Sequence, residues 1–308
     1  MGKETIKSSI IIEHVHIEGI WGKYTVDFPL DRDVNILVGD NGVGKTTILD
    51  IIARICYNQF GVFKHVDRSF QSAVIQFSDK YKVVVETDEK GEKFASWSCE
   101  DKTVNYEELP IAIDVVSTFD SSRFPESVET EIKSSHDDIR SELDLMLYLA
   151  VNDLYRYVSM LSKMSRKYLS DGDSNMVQTI FSRHDKAEAF CNQLFFDKKW
   201  HEDEEDGTLK FKLTEDGEII KVSQLSSGEK QMLILLLSTL IQNGRNYITF
   251  WDEPEISLHI GWQQQLIRVM RELNPNMQLI IATHSPSILH EGWEQRAINV
   301  NDIKSKQK

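Results

Sequence analysis

The sequence predicts an α/β fold: a mixed central sheet built from both ends of the chain, with an antiparallel β subdomain and a helical insert lobe. Three observations carry this. A glycine-rich motif that suits phosphate, GDNGVGKTT (Gly39–Thr47), stands between a strand pattern and a helix pattern. After LSSGE, apolar runs of helix length and strand length alternate strictly. Between the two ends, residues from about 127 to 196 read as helix with no strand pattern among them.

In chain order, IIIEHVHIEGI around Ile10, KYTVDF (Lys23–Phe28) and VNILVGD (Val34–Asp40) are β-rich runs bounded by turn residues. A helix follows from about Lys45 to Cys56. AVIQFSD, KVVVETD and KFASWS make an antiparallel meander, and IAIDVVSTF (Ile111–Phe119) is a further buried strand. In the helical middle, Leu147, Val151, Leu154, Val158 and Leu161 step by four and three, a heptad seam. A helix of ~28 residues there would be ~42 Å long. The seam is shorter than the roughly three to four heptads of a coiled coil. It reads either as a helix packed on its neighbour or as a short hairpin or subunit contact. HEDEEDG (His201–Gly207) reads as a solvated acidic loop ahead of a strand pair. Then come a helix to about Ile241, strand YITFWD, a helix from about His259, strand MQLIIAT and a short strand near AINV. The final NDIKSKQK reads as a disordered basic tail. These patterns place an N-terminal lobe at 1–126, the insert at 127–209, a C-terminal lobe at 210–302 and the tail at 303–308.

Composition narrows the function classes. Of 308 residues, 41% are hydrophobic and 27% charged, ordinary values for a cytoplasmic globular protein. No apolar run is long enough to span a bilayer. Glu13, His14, His16 and Glu18 interrupt the N-terminal apolar patch, which argues against a signal peptide. Ile6 stands where a myristoylation signal needs Ser or Thr. Cys56, Cys99 and Cys191 form no CxxC, so reduced thiols and no zinc site are expected. A net charge of -14 disfavours non-specific grip on nucleic acid, though not a local basic groove.

The chemistry concentrates in four short stretches. In Gly39, Asp40, Asn41, Gly42, Val43, Gly44, Lys45, Thr46 and Thr47, glycines let the backbone curl with its N–H groups inward. The helix N-terminus adds positive dipole. Lys45 would reach the β- and γ-phosphates of ATP, and the Thr46 hydroxyl would hold Mg²⁺. In YITFWDEPE, Asp252 and Glu253 end a strand, where ligand sites of parallel sheets lie. Adjacent acids on a strand point to opposite faces, so they need different jobs unless the strand has ended; Pro254 indicates that it has. One carboxylate there can hold Mg²⁺ and the other orient or deprotonate water. In LSSGEKQ, Ser226, Ser227, Gly228 and Glu229 open an apolar helix, a second half-site for an anion. In IIATHSPS, His284 follows another buried strand, as a surface or core histidine or as a γ-phosphate sensor.

Together, the phosphate loop, LSSGE, DEP and a strand-ending His resemble the ABC-type ATPases. DEPEISLHIGWQQ followed by THSP is similar to the soluble RecF/SMC-like branch. That branch includes ATPases of bacterial antiphage systems such as Septu and PARIS and the ATPase part of OLD-family proteins. The N-terminal IEGIWGKYTVDFPLDRDVNILVGDNGVGKTT resembles that branch's opening. The resemblance covers both ends of the chain but no part of the insert. It implies Ser226 and Gly228 as signature residues with Glu229 beside them, and Ser227 where many members have Gly. It implies Asp252 as the Mg²⁺-linked acid, Glu253 as the catalytic acid and His284 as the switch residue. Glu255–His259 would be the D-loop, with Ile260 in place of the branch's usual Pro. The glutamine loop would fall near VVSTFDSSR, which has no Gln; Asp120 or a neighbour would substitute.

The resemblance further implies a head-to-tail homodimer or larger oligomer with ATP sandwiched at two equivalent sites. It implies a separate effector, such as a nuclease or Toprim-like protein, gated by ATP. Neither a full SMC protein nor a complete OLD nuclease is expected, since a long coiled coil and a Toprim-sized extension are both missing. Antiphage defence is the favoured role. The alternatives are a DNA-repair or chromosome-maintenance ATPase, a transporter's nucleotide-binding subunit, and an ATP-bound scaffold with little turnover. No membrane contact is expected, and nucleic acid remains a possible partner.

Overall fold

Short, mainly apolar runs demand burial on both faces, and the central sheet provides it. Its strands are β3 (Val34–Val38), β8 (Ile113–Ser117), β12 (Ile248–Asp252), β13 (Gln278–Ala282) and β14 (Ala297–Asn299). They run in the order β14-β3-β13-β12-β8, and every pairing is parallel. Both ends of the chain contribute, as expected from the sequence. Helix α1 (Lys45–Tyr57) leaves β3 through the glycine-rich loop and packs on β13, β12 and β8, burying Ile48, Ile52 and Ile55.

The computed structural model describes residues 10–58, 69–117, 132, 138–170, 173–203, 207–290 and 292–306. They divide into two compact units: one drawn from 1–117, 245–254 and 276–308, the other from 118–244 and 255–275. The first unit holds the parallel sheet and an antiparallel sheet. The latter consists of β1 (Ile12–Ile20), β2 (Tyr24–Pro29), β4 (Ser72–Phe77), β5 (Tyr81–Thr87), β6 (Lys93–Cys99), β7 (Lys102–Thr103) and β15 (Lys304–Lys306). Its order is β15-β2-β1-β4-β5-β6-β7. Val15, Ile17, Ile75, Val83 and Val85 alternate inward, joining Ile248, Phe250 and Ile280 in one core. Parallel and antiparallel pairings are thus divided between two sheets of an α/β fold.

The second unit is mainly helical: α2 (Glu142–Ser170), α3 (Ser174–Leu194), α4 (Ser227–Ile241) and α5 (Ile260–Leu273). The heptad seam lies on α2. Leu147, Val151, Leu154 and Leu161 are buried there, and α2 packs on α4 and α3, so the seam is helix-on-helix packing within the unit. Helix α4 is apolar almost all round, from Met232 to Leu237, because neighbours cover it on several sides. A small antiparallel sheet, β11-β10-β9, completes the unit, with β9 at Lys198–Glu202, β10 at Leu209–Leu213 and β11 at Ile219–Lys221.

Two expectations need correction. His201 and Glu202 belong to β9 and not to an acidic loop, so a strand precedes the acidic stretch and the sheet has a third member. Backbone pairing to β10 and burial of Lys198 and Trp200 hold β9 in place. The basic tail is ordered through Lys306: a short helix, α6 (Val300–Ile303), buries Val300 and leads into β15, which pairs antiparallel with β2. Residues 204–206 of the acidic stretch and the glutamine-loop candidates from 118, Asp120 among them, lie outside the described residues. Burial pushes the Cys56 and Cys191 thiols up, so both stay protonated and inert.

Candidate nucleotide-binding site

The phosphate loop joins β3 to α1 at the C-terminal edge of the parallel sheet. Gly39, Gly42 and Gly44 have φ of 143°, 76° and 101°, values that L side chains rarely adopt. Gly44 also has no room: a Cβ there would meet Trp21 Cη2 at 2.9 Å. Asp40, Asn41 and Gly42 are exposed at the tip, and Val43 N–H donates to Asp40 O at 3.3 Å. Lys45, Thr46 and Thr47 form the first turn of α1, whose N-cap is Gly44 with no capping side chain. Gly44 has no side chain to cap it, so the positive end of the α1 dipole faces the loop.

Three separated stretches meet here. Lys45 is 3% exposed, and its Nζ donates to Gly39 O at 2.9 Å and Asp40 O at 3.2 Å. The same Nζ lies 3.0 Å from His284 Nδ1. An ammonium has donors only, so Nδ1 is the acceptor and the ring proton sits on Nε2. That Nε2 lies 3.2 Å from Glu253 Oε1, completing a chain from Lys45 through His284 to Glu253. Thr46 Oγ1 donates to Asp252 Oδ1 at 2.9 Å, tying the loop to the end of β12. The strand does end at Asp252. Glu253 then takes a left-handed φ of 45° while its N–H donates to Ala282 O at 2.8 Å. A non-glycine residue held in that region by its neighbours stores strain of the kind found at functional sites. The turn aims Glu253 toward His284, whereas Asp252 stays buried beside Thr46.

These groups suit a nucleotide phosphate and a divalent cation. Lys45 is a buried cation at the positive end of the α1 dipole, and Thr46 with Asp252 is a hydroxyl–carboxylate pair of the hard oxygen type Mg²⁺ takes.

The signature residues form a separate cluster in the second unit. Ser226 caps α4 in a capping box: its Oγ accepts from Glu229 N–H at 3.4 Å, and its N–H donates to Glu229 Oε2 at 2.8 Å. Ser226 Oγ–H also donates to Glu229 Oε2 at 2.8 Å. Lys198 Nζ lies 2.6 Å from Glu229 Oε1 and 2.8 Å from Asp197 Oδ2. Burial alone would lower the Lys198 pKa, but these two carboxylates outweigh it and the net shift is upward. Ser227 begins the helix, and its φ is not positive, so the Gly of other members is not required by the backbone. Gly228 is required for space: a Cβ would lie 2.4 Å from Ser257 O. In the segment expected as the D-loop, Ser257 has φ 65° and His259 caps α5 by accepting from Gly261 N–H at 3.2 Å.

Lys198 and Lys304 carried no signal in the sequence. Each is a lysine in a polar stretch, and only the fold reveals its partners.

The chain is similar to several known proteins. Septu protein PtuA of Bacillus thuringiensis is 22% identical over 304 residues, 91% of this chain and 73% of that protein. The Retron Vc95 probable ATPase of Vibrio cholerae serotype O1 biovar El Tor is 28% identical over 106 residues, 31% of this chain. The Retron Ec83 probable ATPase of Escherichia coli is 37% identical over 82 residues, 23% of this chain. The matches span only 21% and 15% of the two retron ATPases' own lengths. In fold, the chain resembles the Smc head domain of Pyrococcus furiosus solved with the C-terminal domain of ScpA. The TM-score is 0.55 at 14% identity, covering 97% of this chain and 96% of that one. A second Smc head, bound to the C-winged helix domain of ScpA, gives a TM-score of 0.57 at 15% identity, with 90% of each chain covered. The fold is therefore that of the ABC-type ATPase heads, as the motifs implied. The model of the family described as "AAA domain, putative AbiEii toxin, Type IV TA system" matches residues 106–290, which include the signature, Asp252, Glu253 and His284. The chain belongs to that family, and its relatives include Septu protein PtuA and two probable ATPases of retrons.

Proposed function

We propose that this chain binds and hydrolyses ATP, closes head-to-tail on a second copy around it, and so gates a separate effector in bacterial antiphage defence. The observation that carries the reading is the network joining Lys45, His284 and Glu253, with Thr46 held against Asp252 beside it. It draws on the phosphate loop, the end of β12 and the end of β13. Lys45 and the loop amides hold the β- and γ-phosphates of the substrate. Thr46 and Asp252 would hold Mg²⁺, which when bound would supply positive charge to the transferring phosphoryl group. Glu253 orients the attacking water and accepts its proton. His284 steadies Glu253 through Nε2–H and senses the γ-phosphate through the Lys45 contact.

Ser226 and the α4 amides near Gly228 complete the site on the opposite copy. That arrangement makes the interface self-complementary, with two equivalent sites. Losing the γ-phosphate removes charge-assisted bonds across it and favours opening. An effector protein, of nuclease or Toprim-like type, reads the closed state. The net charge of -14 favours a protein partner over unaided grip on nucleic acid. Among the described residues no helix is long and apolar enough to cross a membrane.

Glu253→Gln tests the scheme. It removes the proton acceptor while keeping shape, so ATP should accumulate in dimers seen by light scattering, with turnover reduced about a thousandfold or more. Unchanged slow turnover and no ATP-dependent size shift would favour an ATP-bound scaffold.

A further inference from the structure

The ordered C-terminal strand reaches the wall of the phosphate loop. β15 pairs with β2 in the register Lys304 opposite Val26 and Lys306 opposite Tyr24. From there Lys304 Nζ donates a hydrogen bond to the Val43 carbonyl, inside the glycine-rich motif. The same ammonium lies 4.8 Å from the Tyr24 ring centroid and 5.7 Å from that of Trp21. Trp21 itself lies against Gly44. Burial pushes the Lys304 pKa down, as expected for a cation screened from water by two rings.

The consequence for the loop follows from peptide geometry. A trans peptide carries its C=O and N–H on opposite sides. Holding Val43 O toward Lys304 therefore turns the Gly44 N–H away from Lys304, to the other side of the loop. A cation on the carbonyl also polarises the peptide and strengthens that N–H as a donor. Gly44 gains from such support, because a glycine has the most conformational freedom to lose on being held at φ 101°.

We propose that Lys304 is a positioning residue of the nucleotide site, fixing the Val43–Gly44 peptide so that the loop is set for phosphate before nucleotide arrives. The proposal rests on the reading that Gly39–Thr47 holds the nucleotide. It gives β15 a role that no motif of the chain assigns.

The test uses the full chain. ATP and ADP are titrated calorimetrically into Lys304→Met and Lys304→Arg, and hydrogen exchange across Gly39–Thr47 is followed without nucleotide. Lys304→Met should weaken both nucleotides about tenfold, since the loop serves phosphates that both carry. It should raise KM with kcat within about twofold, and speed exchange in the loop. Lys304→Arg, which keeps charge and donors, should restore most of the affinity. If Lys304→Met does not fold, Lys304→Gln replaces it, keeping a donor without the charge. Lys45→Ala separates the two readings. If Lys45→Ala retains binding, the loop is not the nucleotide site and both readings fall. If Lys45→Ala loses binding while Lys304→Met binds as wild type, only this proposal is overturned. Weaker binding with unchanged loop exchange and no rescue by Arg overturns it as well.

Discussion

The phosphate end and the signature end use the same kinds of groups, a lysine, a carboxylate and a hydroxyl, in opposite ways. At the phosphate end, Thr46 reaches Asp252 and Lys45 reaches His284, across hundreds of positions of sequence. The sheet assembles that site by bringing strand ends together. At the signature end, Ser226 turns its hydroxyl proton and its N–H to Glu229, three residues away, and Lys198 neutralises the same carboxylate. That cluster satisfies itself as a helix cap. A carboxylate 2.8 Å from the hydroxyl competes with an incoming phosphate, so Ser226 must rotate before it can serve another molecule. In the proposed dimer, the first site is poised and the second is latent until the other copy pulls it open.

The sharpest way to break this comparison is one substitution at each end. Lys45→Ala should lose ATP binding and turnover together. Ser226→Arg should leave ATP binding to the monomer intact yet reduce hydrolysis about a thousandfold or more, the scale of losing a preorganised transition-state contact. Calorimetry and phosphate release on both variants read the two effects apart. Normal hydrolysis by Ser226→Arg would remove the signature from the chemistry.

A second test asks how tightly the latent cluster is held. The Lys198 and Glu229 side chains are 9% and 13% exposed, so Lys198→Met strands a buried carboxylate. Breaking such a pair costs about 3–5 kcal/mol, more than removing both charges together. Urea unfolding should show that loss in Lys198→Met and partial recovery in the double variant Lys198→Met, Glu229→Gln. A wild-type midpoint for Lys198→Met would mean that water reaches the pair and that Glu229 needs no cation.

What the sequence disclosed follows the same division. The phosphate loop is a local conformation, so its glycines and the Lys45–Thr46 pair are legible in nine letters. Strands β3, β12 and β13 are legible because burial on both faces leaves continuous apolar runs. The seam on α2 announced a helix, but its identity as packing against α4 and α3 needed the tertiary structure. β15 was misread because Lys-Ser-Lys has no apolar pattern; it holds by backbone pairing to β2. β9 was missed for a related reason, since its one buried charge, Lys198, finds Glu229 thirty-one residues onward. Polar residues whose partners lie far along the chain look solvated when read alone.

The smallest expected effect probes what supports β9. His184 on α3 is buried, its Nε2 3.0 Å from Glu202 Oε1 without a well-aligned hydrogen bond. Its ring meets Trp200 edge-on at 5.8 Å, and Trp200 Nε1 donates to Glu202 Oε1 at 3.1 Å. Burial opposes charge on His184, but Glu202, with Asp185 and Glu188, raises its pKa above 6.5. The Glu202 pKa falls below 4.5, chiefly through His184. A raised histidine stabilises fully below its unfolded value and loses that contribution as pH climbs through the folded one. A lowered carboxylate stabilises above its unfolded value and loses it as pH drops through the folded one. The pair therefore contributes most between the two ordinary values, 4.5 and 6.5, and fades in alkali. Glu202 is 41% exposed, so screening limits the effect to about 1 kcal/mol. Wild type should exceed His184→Gln in urea stability by more at about pH 6 than at about pH 8.5. An equal gap at both would mean that the imidazole acts by packing on Trp200 alone.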